Sequence, residues 1–124
     1  MHQTIQTAKA ASAIGPYSQA IACKGLLFTS GQIPVDAGTG EIVGTEIHAQ
    51  AEQVMKNISA ILEEAGTEFG KVIKTTCFLA DMEDFAVFNE VYGKYFVNNP
   101  ARSCVAVKTL PKNVLCEVEV IAEI

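Results

Sequence analysis

Apolar residues recur at three- and four-residue steps from Ile47 to Ala65, through Ala51, Val54, Met55, Ile58, Ile61 and Leu62. That period predicts an α-helix with one stripe turned to the core. Gln53, Lys56, Asn57, Glu63 and Glu64 fall on the opposite, polar side, and Gly66 suits the position just past the C-terminus. The methionine and isoleucines of the stripe are packing residues, not a cofactor-binding pattern. A second helix is predicted over 84–97, partly burying Phe85, Phe88, Val91, Tyr92 and Phe96. Asp81 or Asp84 can cap its start, and Pro100 stops its continuation. Gly93 weakens it by about 1 kcal/mol relative to alanine, a cost that packing overrides.

The remaining apolar segments have strand character. Residues 17–22 and 26–30 read as two short strands turning at Lys24-Gly25, and the second ends at Gly31-Gln-Ile-Pro34. Asp36–Gly40 is a turn-rich loop. Residues 71–80, β-branched and aromatic, form a third strand. Residues 102–108 and 113–122 read as a closing hairpin around Thr109–Lys112. The order ββαβαββ gives an α+β class: a single mixed sheet with two helices packed on one face. Along the last strand, Val114, Cys116, Val118 and Val120 share the face assigned to the helices. Leu115, Glu117, Glu119 and Ile121 share the other, a mixture of apolar and ionised groups that suits contact with another subunit.

Composition narrows the function classes. The 124 residues suit one domain, 1–124, large enough to bury a core. No apolar run approaches the roughly 18 residues of a membrane span. Met1–Ile5 lacks the basic and apolar regions of an export signal, so a cytoplasmic address is expected. Cys23, Cys77, Cys104 and Cys116 are scattered, with no Cys-x-x-Cys pair, and are expected to be free thiols. His2 and His48, the only histidines, lie at no metal-ligand spacing, so no metal site is expected. A net charge of −5 with dispersed lysines and arginines argues against nucleic-acid binding.

Against that acidic background, Arg102 stands at the entrance of a strand. In the predicted hairpin it lies across from Glu119, with Cys104 across from Glu117, so all four crowd one side of the sheet. One reading is an edge ion pair worth about 0–1 kcal/mol when exposed. The other is an arginine fork presented to a substrate carboxylate, with a glutamate handling a water or a proton. Spacing leaves both open. Cys104 lacks the nearby base that a thiolate nucleophile wants. Ser30 lacks the Gly-x-Ser-x-Gly elbow, and Gly38 and Gly40 are not followed by the lysine of a phosphate loop. Tyr17, after Gly15-Pro16, can be a half-buried anchor or a pocket wall.

Taken together, Ile14-Gly-Pro-Tyr-Ser18, Thr29-Ser-Gly-Gln-Ile-Pro34, Pro100-Ala-Arg-Ser-Cys-Val105, Leu110-Pro-Lys112 and Glu117-Val-Glu-Val-Ile-Ala122 resemble the signature blocks of the RidA (reactive intermediate deaminase, YjgF) family. The blocks run in order along essentially the whole chain. The resemblance implies a fold similar to trimeric bacterial-type chorismate mutase and a homotrimer with clefts between subunits. It implies hydrolysis of 2-imino acids (2-iminobutanoate, 2-iminopropanoate), released by pyridoxal-phosphate dehydratases, to 2-oxo acids and ammonia, with no metal or cofactor. Arg102 matches the residue that grips the substrate carboxylate, and Glu117, not Glu119, the one associated with the hydrolytic water. Tyr17, Ser30, Gly31, Asn89 and Cys104 match pocket-lining positions, Gly31 and Cys104 through backbone groups. Cys116 departs from the β-branched residue expected there, which alters packing and not chemistry. The alternative is a non-catalytic, small-molecule-binding or chaperone-like trimer using the same cleft. A ribonuclease activity has also been attached to relatives, and the acidic charge and missing histidine pair argue against it here.

Overall fold

The computed structural model describes residues 1–124. Its strands are β1 (His2–Ile5), β2 (Ala20–Cys23), β3 (Leu26–Thr29), β4 (Val72–Leu79), β5 (Ala101–Ala106) and β6 (Cys116–Glu123). They form one mixed six-stranded sheet in the order β1-β2-β3-β6-β4-β5, in which only the β4–β5 pair is parallel. Two helices, α1 (Ile47–Glu64) and α2 (Phe85–Tyr95), complete the predicted α+β architecture. Neither is long and apolar enough to cross a membrane.

The apolar stripe of α1 is almost wholly buried, with Ala51, Val54, Met55, Ile58 and Ile61 fully excluded from solvent. It packs with Phe88, Val91 and Phe96 over the inward faces of Cys77 and Leu79 on β4 and Cys116, Val118, Val120 and Ala122 on β6. Both strands alternate buried and accessible positions, the pattern of a sheet covered on one side. Glu46 caps α1, its carboxylate accepting from the backbone of His48 (2.9 Å) and Ala49 (2.8 Å), which holds its pKa below the ordinary carboxylate range. Asp81 caps a 3-10 turn at Met82–Asp84, and α2 continues from that turn.

Three expectations are corrected. First, the closing hairpin does not form. β5 lies parallel beside β4, with Thr75 opposite Arg102 and Cys77 opposite Cys104. β6 runs antiparallel along the other edge of β4, with Phe78 opposite Glu117 and Thr76 opposite Glu119. Helix α2 supplies the long crossover that a parallel pair requires. The chain then steps over the end of β4, where Val107 N–H donates to Leu79 O (2.9 Å) and Ala80 N–H donates to Leu115 O (3.0 Å). A tight turn at Pro111–Asn113, with Lys112 and Asn113 both left-handed (φ 55° and 56°), turns it into β6. Strand β6, with every second residue buried, takes the central place, and the more accessible β5 takes the edge.

Second, Gln53 and Asn57, which the helical period placed on the polar side of α1, are buried. Third, the strand expected over 17–22 starts only at Ala20, because Gly15 (φ +127°) bends the chain and Tyr17 N–H closes a turn onto Gly15 O (3.0 Å). The sheet also gains β1, which pairs with β2 and which no periodicity foretold. Helix α2 ends at Tyr95, short of the predicted Val97.

Candidate active site

Arg102 lies on the helix-covered side of the sheet. Its Nη1 donates to Asn89 Oδ1 (2.7 Å), and its guanidinium carbon stands 4.7 Å from the Tyr92 ring centre and 5.4 Å from that of Phe85. Phe85, Asn89 and Tyr92, at i, i+4 and i+7 on α2, thus present two aromatic rings and an amide to one cation. Tyr92 is itself fixed, its hydroxyl 2.7 Å from Thr75 Oγ1 on the strand position opposite Arg102. The ion pairs of the chain are Lys9–Glu63 and Lys94–Glu52, and Arg102 takes part in neither. The edge ion pair with Glu119 is therefore absent. Arg102 is oriented by three side chains and keeps the rest of its donor fork uncommitted.

Cys104, two residues along β5, shares this face and packs against the core. Burial raises its pKa, with the Arg102 charge pulling the other way, and burial pushes neighbouring Cys77 up to about 12. Burial thus favours the neutral thiol at both sulfurs.

A second cluster lies on the opposite side. Tyr17, Ser30, Gly31, Ile33, Pro111 and Glu117 line an open cavity of about 330 Å³. Ser30 is fastened by its Oγ donating to Ser18 O (2.6 Å) and its N–H donating to Gln19 O (2.8 Å). Tyr17 is half exposed, and its hydroxyl accepts from Ile14 N–H (3.2 Å). Gln32 and Val118 exchange two backbone hydrogen bonds (2.8 and 3.1 Å), which staple the Ser30–Ile33 segment to β6 beside Glu117. The Glu117 side chain crosses the bare Cα of Gly31, where any added Cβ would collide with the carboxylate. Burial first, and then the Glu119 charge, raise the Glu117 pKa, and no hydrogen bond opposes them.

Two groups of expected site residues are thus assembled: Asn89, Arg102 and Cys104, and separately Tyr17, Ser30, Gly31 and Glu117. Within one chain they are not brought together. Glu117 lies between inward-facing Cys116 and Val118 and so projects away from the helices, whereas Arg102 projects towards α2. The expectation that Arg102, Cys104, Glu117 and Glu119 share one side of the sheet is corrected, because it depended on the hairpin. Ile33 and Pro111, which line the cavity, and Thr75, Phe85 and Tyr92, which hold Arg102, were not foreseen as site residues. The i, i+4, i+7 spacing of Phe85, Asn89 and Tyr92 was the available signal, obscured because aromatic residues on a helix also read as core. No three His, Cys, Asp or Glu side chains converge as a metal-binding group.

This geometry can be set beside known proteins. The sequence model of a family described as Endoribonuclease L-PSP matches residues 7–124. A Lactococcus lactis protein bearing a regulator's name, AldR, is 60% identical over 121 residues, covering 97% of this chain and 96% of that protein. The 2-iminobutanoate/2-iminopropanoate deaminase of Salmonella typhimurium is 47% identical over 126 residues, covering 98% of each. Among solved structures, YyfA of Yersinia pestis, described as a protein of unknown function of the conserved Rid family, superposes with a TM-score of 0.97 at 47% identity over the full length of both chains. The chain belongs to this L-PSP family, the RidA/YjgF family that its signature blocks resembled.

Proposed function

We propose that this protein is a hydrolytic deaminase that converts 2-imino acids such as 2-iminobutanoate and 2-iminopropanoate to 2-oxo acids and ammonia. It works as a homotrimer, in which the Arg102 cluster of one copy faces the Glu117 cluster of the next across an intersubunit cleft. The observation that carries this reading is the state of Arg102: fixed by Asn89, Tyr92 and Phe85, yet free of any acidic partner. A guanidinium so prepared suits a small carboxylate held through two parallel hydrogen bonds, which a lysine provides less well. The Salmonella relative's name supports the same chemistry. The net charge of −5 supports it over the endoribonuclease of the family's description.

With the substrate carboxylate on Arg102, the protonated C=N carbon is the electrophile. Glu117, whose partly buried carboxylate is more basic than an ordinary one, takes a proton from water as its oxygen bonds to that carbon. The product is a carbinolamine. Glu117 then delivers the proton to nitrogen and takes the hydroxyl proton as the C–N bond breaks and the C=O forms. That proton passes to the departing ammonia, which leaves as ammonium and returns Glu117 to its carboxylate. One water is consumed and no electrons are exchanged. Holding water and imine in this relation supplies much of the rate, and Tyr17, Ser30, Gly31 and Cys104 shape the space.

The test is decay of 2-iminobutanoate generated in situ from threonine by a pyridoxal-phosphate-dependent dehydratase. Added protein should speed decay, and Arg102→Ala should lose the effect while keeping its mass in solution. Imine decay that wild-type protein leaves unchanged would sink the reading in favour of a binding protein using the same cleft.

A further inference from the structure

Six polar side chains are buried in the chain, and five of them are amides: Gln19, Gln32, Gln50, Gln53 and Asn57. Three of these, Gln50, Gln53 and Asn57, lie at i, i+3 and i+7 on one face of α1. Their polar atoms serve the backbone of irregular segments around the Glu117 cavity. Asn57 Nδ2 donates to Ile33 O (3.1 Å) and Val35 O (3.0 Å), while its Oδ1 accepts from Gln53 Nε2 (3.0 Å). Gln53 Nε2 also reaches Val35 O (3.4 Å). Gln50 Nε2 donates to Gly44 O (3.1 Å), and Gln50 Oε1 accepts from the N–H of Leu115 (2.7 Å), two residues before Glu117. This amide row therefore ties α1 to both segments that carry the cavity: the stretch that continues from Gly31, whose Ile33 lines it, and Leu115, which leads into β6. Glu117 stands on β6, its side chain crossing to Gly31 on the other segment.

We propose that Asn57, supported by Gln53 and Gln50, is a positioning residue for Glu117, fixing the spacing between the Gly31 wall and β6 that keeps this carboxylate pressed on the glycine. The inference rests on Glu117's proposed role for its catalytic consequence, but not for its geometric content. Ordinary packing needs no such arrangement. A core row of apolar side chains would fill the same space, but it would leave the carbonyls of Ile33, Val35 and Gly44 and the N–H of Leu115 without these partners. The amide row lets a loop with little ladder of its own take one conformation, which a carboxylate needs if water and substrate are to meet it in register.

Asn57→Leu keeps the approximate volume and removes the hydrogen bonds. The expected result is a fall of about 10–100-fold in kcat, the scale of a small misplacement of a reacting group, with KM within about twofold because the Arg102 cluster is untouched. Carbon-13 NMR of the Glu117 carboxyl gives a second readout that needs no turnover. Its midpoint should move down towards an ordinary carboxylate as the wall relaxes and water enters. Glu119 is the charged neighbour within the chain that shifts it, and the Arg102 that faces it in the proposed trimer is the same in both proteins. Ile61→Val, a buried change on the same helix, is the comparison: it should lower the melting temperature and leave both readouts alone. If Asn57→Leu behaves like Ile61→Val, the positioning role is overturned. Gln53→Leu, which removes a single donor group, takes its place if Asn57→Leu does not fold, and the same outcomes decide. A wild-type protein without imine hydrolysis would refute the proposed reaction, and the carboxyl titration would still decide the positioning role.

Discussion

The two halves of the candidate site are built on opposite plans. Around Arg102 the supports are side chains: an amide on α2, two aromatic rings and, behind one ring, a threonine hydroxyl. Around Glu117 the supports act through the backbone: a bare glycine, a reciprocal pair of main-chain bonds between Gln32 and Val118, and the amide row of α1 that holds main-chain groups of the adjoining segments. The cation is oriented by its neighbours, whereas the carboxylate is half buried with no partner in its own chain to stabilise its charge. In the proposed reaction an anchor must keep one orientation throughout, and the neighbours of Arg102 fix one. A proton carrier must exchange two states, and the raised pKa of Glu117 suits that part of the proposal.

If each half belongs to a different copy in the working site, neither half is enough, and the largest effect is the one that breaks this division. Arg102→Ala and Glu117→Gln should each lower kcat/KM by on the order of 10²–10⁴-fold, through lost charge-assisted bonds in one case and lost general-base chemistry in the other. Co-refolded mixtures should recover activity, because some clefts then pair the intact Arg102 of one chain with the intact Glu117 of the other. Mixtures that stay as inactive as their parents would show that the halves do not meet between chains.

Next in size is Gly31→Ala. The added methyl falls on the Glu117 carboxylate, so the glutamate must swing away. Turnover should fall by about 10–100-fold with binding of a 2-oxo acid product nearly unchanged, the scale of a misplaced reacting group. Equal losses in turnover and product binding would mean that the two halves are not separable. On the other side, Asn89→Ala removes one charge-assisted bond worth about 1.5–3 kcal/mol. It should act mainly on KM, raising it by on the order of 10-fold or more, while Tyr92→Phe keeps the ring, loses only the link to Thr75 and should cost less. A kcat-only effect in Asn89→Ala would break the assignment of this half to binding.

How far these halves could be read from the chain follows from how local their causes are. The α1 stripe and the two faces of β6 repeat within a few residues, and both appear in the structure as read. The neighbour of β5 is a non-local choice: residues 102–108 and 113–122 have the alternation of a hairpin, and nothing in that alternation says that β4 lies between them. The placement of Arg102 went wrong with that choice, although its chemical type had marked it out. Gln53 and Asn57 were misplaced for another reason. Periodicity sorts side chains by polarity, and an amide satisfied by loop carbonyls is polar and buried at once. The short blocks that carried the family resemblance named Tyr17, Ser30, Gly31, Arg102 and Glu117 without either inference.

The smallest expected effect separates the halves by stability. Burial and Glu119 raise the Glu117 pKa in the folded protein, so folding favours its protonated form. The stability this contributes is fully present below the carboxyl's unfolded pKa and is lost as pH rises through the higher folded value. At neutral pH, therefore, the ionised Glu117 opposes folding, and Glu117→Gln should melt at a slightly higher temperature than wild type even as it loses activity. The gain should shrink as pH falls towards 4, where wild-type Glu117 is itself protonated. Arg102→Ala should do the reverse, melting lower at both pH values, because it removes stacking on Tyr92 and Phe85 that does not depend on a carboxyl titration. Calorimetry of both variants at two pH values checks this. A Glu117→Gln protein less stable than wild type at neutral pH would show that its carboxylate gains a partner in the assembled protein, and the contrast between a satisfied anchor and an unsatisfied proton carrier would then fail.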